Sequence, residues 1–203
     1  MNPSQPDYSI DYLNEIAGPP QRSRGPSPRV MMIAIIGVVI LVIGFLLFLA
    51  FGSGSSNTQR ASEIYLRLET LETLAKDQQK LLRSNALRTH NGTLLIFLTN
   101  AKTDIESLSE TYDFNPKKIP KNLEEKEKTY VTDLETTFED AHLNVVLDRT
   151  YARQMSYELT TLQAQLASLY KHTRSQSARD KLAQIDENIS PTIETFSKFA
   201  ATK

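Results

Sequence analysis

Cysteine and tryptophan are both absent from the 203 residues. Without cysteine the fold holds no disulfide, no thiolate metal site and no thiol nucleophile. Glycine is scarce and unevenly placed, and beyond Gly54 the sole glycine is Gly92. A chain so poor in glycine offers no phosphate-cradling loop, no nucleophile elbow and few tight turns. Proline is concentrated ahead of Val30, leaving Pro116, Pro120 and Pro191 for the rest. Neither sign of charge is in excess, with 23 Lys and Arg against 24 Asp and Glu. That argues against nucleic acid, whose binding by counterion release depends on clustered Lys and Arg. What remains is rich in Leu, Thr, Glu, Lys, Gln and Ala, the composition of an all-α protein.

One long hydrophobic run stands out against this background. Val30 to Phe51 reads VMMIAIIGVVILVIGFLLFLAF, with no charge and no strong polar group. As a helix it would measure about 33 Å, enough to cross a hydrocarbon core of about 30 Å. The run is too long for a signal-peptide core, and the tail before it carries acids and prolines. It is therefore expected to be a retained single-pass transmembrane helix. Arg22, Arg24 and Arg29 precede it with no acid among them, whereas Arg60 follows it opposed by Glu63. This bias places the tail in the cytoplasm and the carboxy-terminal domain outside the cell membrane. Ala34, Gly37 and Gly44 form a small-residue strip along one side of the span, where a second span can approach closely.

Residues 1–29 read as a disordered tail because of their prolines and their Gly18-Pro19-Pro20 and Gly25-Pro26 punctuation. Within them, residues 9–17 form a short candidate docking helix. Ser9 is its cap, Ile10, Leu13 and Ile16 share one side, and Gly18-Pro19 is its stop. This tail, reading Asp11-Tyr12-Leu13-Asn14-Glu15-Ile16-Ala17 before prolines, one span and a helical domain, resembles a group of single-span membrane-anchored helical proteins of ultrasmall candidate-phylum bacteria. The resemblance implies a bacterial envelope protein and carries over no activity.

Residues 52–57 are a Gly/Ser linker, and 58–203 are expected to form an elongated antiparallel bundle of three or four long helices. The apolar periodicity predicts helices over about 58–90, 93–112, 121–172 and 178–201. It weakens near Gln78 and resumes at Leu81 or Leu82. From Lys121 to His172 there is neither Gly nor Pro, and a heptad seam from Val131 to Leu169 is interrupted only at Asp148. One long helix, bent near Asp148, is the simplest reading. Asp113-Phe114-Asn115-Pro116 is a loop, and Pro191 a kink within the last helix. An antiparallel pairing about Lys117 and Lys118 sets Asn91 opposite Asn144, a candidate polar layer that would fix register. The same pairing puts the basic loop at the end far from the span and leaves that half uncovered by the short last helix. Leu95, Ile96 and Phe97, with Val146 and Leu147, would then be surplus apolar surface for a second copy or a protein partner. A true break at Gly92 would instead fold the chain into a compact four-helix bundle.

Glu139 and His142 form a Glu-x-x-His on a helix, the element that di-iron bundles use twice together with two further glutamates. No second copy occurs, so no metal, cofactor or catalytic site is expected. The sequence reads as a non-enzymatic envelope protein. Its helical ectodomain would serve protein–protein or self association, with the lipid bilayer as its other partner. The competing reading is a ligand-sensing ectodomain that signals through the cytoplasmic tail.

Overall fold

The computed structural model describes residues 56–201. The tail, its docking segment with Ile10, Leu13 and Ile16, the apolar run and most of the linker lie outside the described residues. Among the described residues no helix is long and apolar enough to cross a membrane.

The described chain is an all-α bundle of five long helices and one short one. They are α1 (Asn57–Gln78), α2 (Asn85–Ser107), α3 (Ser109–Tyr112), α4 (Lys121–Leu143), α5 (Leu147–His172) and α6 (Gln176–Ala201). Their order around the core follows from the contacts. Helices α1 and α2 form one antiparallel hairpin, α5 and α6 another, and the hairpins pack with α1 against α5 and α2 against α6. Helix α4 lies outside this ring of four, in the groove between α1 and α5.

The helix ends explain where the chain turns. Ser56 caps α1 by accepting from the Gln59 amide at 3.2 Å, and Ser84 caps α2 by accepting from Leu87 at 3.3 Å. The break after α1 therefore falls at 79–84, not at Asn91–Gly92. Gly92 is an interior residue of α2, and a Cβ there would meet nothing within 4 Å. The break is fixed by a partner distant in sequence. Asp148 accepts from the Arg83 and Ser84 amides at 2.9 and 2.7 Å, using the negative charge that suits a helix amino terminus. The residue that interrupts the heptad seam thus ties the α1–α2 turn to the start of α5.

The span 121–172 is likewise two helices. Helix α4 closes in a Schellman motif, with the Val146 amide on the Ala141 carbonyl at 2.9 Å and the Val145 amide on His142 at 3.1 Å. The motif requires a left-handed residue, and Val145 fills it at φ 63°. A β-branched side chain there costs about 1–2 kcal/mol. Asp113 makes the same turn after α3 at φ 51°, where an aspartate is better tolerated.

Because both long segments fold back, the bundle is shorter than the expected rod. Helix α6 matches α5 at 26 residues each, so the last helix covers the full length of its neighbour. It runs on through Pro191, whose missing amide leaves the Glu187 carbonyl without its usual helical donor. The 113–120 loop with Lys117 and Lys118 returns to the end where the chain enters at Ser56, called here the base. Phe114 packs there against Tyr65 of α1 as a tilted ring pair at 6.0 Å, and Tyr112 bonds Thr173 at 2.7 Å. The basic loop thus lies at the base, opposite to the sequence expectation. The far end, the tip, carries the 79–84 and 144–146 turns and the last turns of α6.

The core is continuous from Ala61 to Phe196. Tyr151 lies in its tip half, fully buried, 5.3 Å from Phe138 of α4 and 6.1 Å from Phe196 of α6. Such tilted pairs contribute about 0.5–1.5 kcal/mol each beyond area burial.

Candidate interaction surfaces

Three regions combine polar or exposed apolar groups in ways the core alone does not require. The first lies beneath α4. That helix buries only Leu123, Leu134, Phe138 and Ala141 of its 23 residues, so apolar packing holds it less than it holds its neighbours. A polar latch compensates. Glu158 of α5 is fully buried and accepts from Arg67 of α1 at 3.1 Å and from Gln154 at 2.8 Å. It also accepts from the Tyr130 hydroxyl of α4. The Arg67 guanidinium lies over the Tyr130 ring at 4.0 Å, within cation–π range. Arg67 Nε is 2.9 Å from Glu127 Oε1, but the two atoms are not aligned as a hydrogen bond, so this contact is mainly coulombic.

Two carboxylates therefore share one guanidinium. Burial pushes the Glu127 carboxyl up, Arg67 opposes that, and the neighbouring Glu158 charge adds to it. Burial also raises the Tyr130 hydroxyl, as does its bond to Glu158, so it stays a donor. With Glu158 closed to solvent, this cluster is suited to docking α4 rather than to acid–base chemistry on a substrate.

A second polar node sits in the core. Asn91 is fully buried, donates to the Ala75 carbonyl at 2.8 Å and to Gln79, and accepts from the Tyr151 hydroxyl. Asn144, its expected partner, is exposed at the tip and donates to the Asp140 carbonyl of its own helix at 2.8 Å. The Asn91–Asn144 layer does not form, because α2 and α4 do not pair about the 113–120 loop. Asn91 instead joins α2 to Tyr151 of α5 and to the end of α1.

The third region is the tip. Leu143, Val145 and Val146 are 72, 64 and 52% exposed, and Leu81 in the other tip turn is 41% exposed. Of the two tip residues singled out from sequence, Val146 is in this patch, whereas Leu147 is buried. Of the α2 trio, Ile96 is 66% exposed, Phe97 is buried and Leu95 is half-buried against the core. The trio and the tip pair are not brought together. Ile96 and Phe97 instead line an open groove of about 490 Å³ between α2 and α6. Phe97, Ala101, Ile185 and Phe196 form its apolar floor, and His90, Asn100 and Asn188 its polar rim. Asp104 at one end is 3.2 Å from Lys181.

Glu139 is exposed and His142 half-buried beside the tip turn. Among the described residues no group of three or more His, Cys, Asp or Glu is placed to hold a metal ion. No protein-family model matches the chain, and neither curated proteins nor solved structures give a significant match.

Proposed function

We propose that this chain is a membrane-anchored, non-enzymatic bacterial envelope protein whose helical ectodomain mediates protein–protein or self association. The anchor is the 30–51 run, with the tail in the cytoplasm and the bundle outside. The observation that carries the association is the tip. Leu143, Val145 and Val146 are exposed together beside the 79–84 turn, at the end of the bundle opposite the base. Large exposed apolar side chains grouped in this way mark contact surfaces rather than ordinary solvated helix ends. The test is sedimentation of the full chain in detergent, compared with the Leu143→Ser, Val146→Ser double variant. We expect a concentration-dependent oligomer that the double variant loses while keeping its helical circular dichroism. An oligomer unchanged by the double variant would move the association away from the tip.

A second reading is ligand sensing, favoured by the α2–α6 groove. Its size of about 490 Å³ and its apolar floor with a few rim polar groups are those of small-molecule sites. A compound that raises the melting temperature of the chain, and no longer does so after Asn188→Leu, would favour this reading.

A further inference from the structure

We propose that two copies of this chain associate by exchanging their α5–α6 hairpins, with the 144–146 turn as the hinge. The proposal rests on the self-association branch of the reading above and names its partner and mechanism.

The bundle divides at that turn into two modules that no other covalent link joins. Residues 56–143 supply α1, α2 and α4, and residues 147–201 supply the α5–α6 hairpin. The seam between the modules is closed by specific pairs. Arg67 and Tyr130 meet Glu158, Asn91 meets Tyr151, Asp104 meets Lys181, and the Arg83 and Ser84 amides meet Asp148. Each pair has one member in each module. A second copy therefore satisfies all of them identically, which is why exchanging an identical element between protomers costs little.

The hinge favours opening. It is three residues long and holds a valine at φ 63°. Strained short hinges promote exchange. Moreover, no Gly or Pro lies anywhere between Lys121 and His172. Releasing Val145 to right-handed backbone lets α4 and α5 join as one helix of about 78 Å. The heptad seam that runs through both helices describes this open state, whereas the observed turn is held by the tertiary contacts of Asp148 and Tyr151. In the exchanged pair α5 of each copy continues past its own tip into the tip of the other. It then runs toward that copy's base, which is the direction α5 already takes in the closed bundle. The two copies meet tip to tip about a twofold axis, burying Leu143 and Val146 near that axis.

The absence of cysteine makes a direct test simple. Asp104→Cys and Lys181→Cys are introduced together in the full chain in detergent, joined by a short bis-maleimide, and the products are separated under denaturing conditions. Exchange gives covalent dimers whose fraction rises with protein concentration during assembly. Val145→Gly removes the strain of the closed turn and weakens the continuous helix, and should raise the dimer dissociation constant roughly a hundredfold, about tenfold for each of the two hinges. Replacing Asn144 and Val145 together by alanine, which favours the continuous helix and leaves Val146 in place, should raise the dimer fraction. A dimer by native mass that yields only singly cross-linked monomers is a side-by-side association. That result overturns exchange and leaves the association reading intact. A monomer by native mass in all three chains, with native helical content, overturns both.

Discussion

Two grooves on opposite sides of the same four-helix ring have been treated differently. The α1–α5 groove is filled by α4 and fastened by Glu158, Arg67 and Tyr130. The α2–α6 groove is left open, although its floor of Phe97, Ala101, Ile185 and Phe196 is also apolar. The difference lies in the charged groups. A buried carboxylate is tolerable only when partners surround it, so the filled groove is specified by partners from three helices. The open groove contains no such demand. Its rim amides, Asn100 and Asn188, are exposed to solvent, and nothing in it requires an occupant for the fold to stand.

The largest effect should come from removing the centre of the latch. Glu158→Ala leaves the buried Tyr130 hydroxyl without its acceptor and Arg67 with Glu127 alone, and should cost about 3 kcal/mol or more in urea unfolding. Phe138→Ala removes the apolar anchor of α4 against Tyr151, at a cost of about 3–5 kcal/mol if the site fails to collapse. A loss near 1 kcal/mol in both would mean that α4 is not fastened as described. A smaller, signed effect concerns pH. Facing Glu127 are Arg67 and Thr70 from α1 and Glu158 from α5, and the net result is a carboxyl raised above its ordinary value. Its contribution to stability is therefore fully present below the unfolded-state value near 4.5 and is lost as pH rises through the folded one. Relative to Glu127→Gln, the wild-type chain should gain stability as pH falls from 7 toward 4.5, measured by paired denaturant titrations. The opposite slope would mean that Arg67 dominates. At the open groove Ile96→Ser should change stability by no more than about 0.5 kcal/mol. A larger loss would show that Ile96 contributes to the packing of the fold.

Much of the fold was legible from periodicity. The buried faces of α5 and α6, from Ala152 to Leu169 and from Leu182 to Phe196, are those the heptads mark, and the loop after Asp113 lies where Asn115-Pro116 predicts. The two helix breaks were less so. A weak point at Gln78 was visible, but Gly92 was the more prominent breaker. Ser84 prevails because Asp148 supplies acceptors from 64 residues away, a long-range contact that local propensity does not contain. The 144–146 turn carries neither Gly nor Pro, and Asn144, the residue best suited to a left-handed site, sits one position too early. The latch was invisible for a similar reason. Glu127, Tyr130 and Glu158 each look like members of a solvated face until Arg67 is placed between them.

The chain joins the bundle at Ser56, at the end opposite the tip. In a tip-to-tip exchanged pair the two bases point away from each other, separated by two bundle lengths, roughly 70 Å at 1.5 Å per helical residue. Copies tethered side by side on one flat surface cannot adopt that arrangement. Copies rooted in two facing surfaces can, so the same hinge would act as a rivet across a gap of fixed width and remain shut within a single sheet.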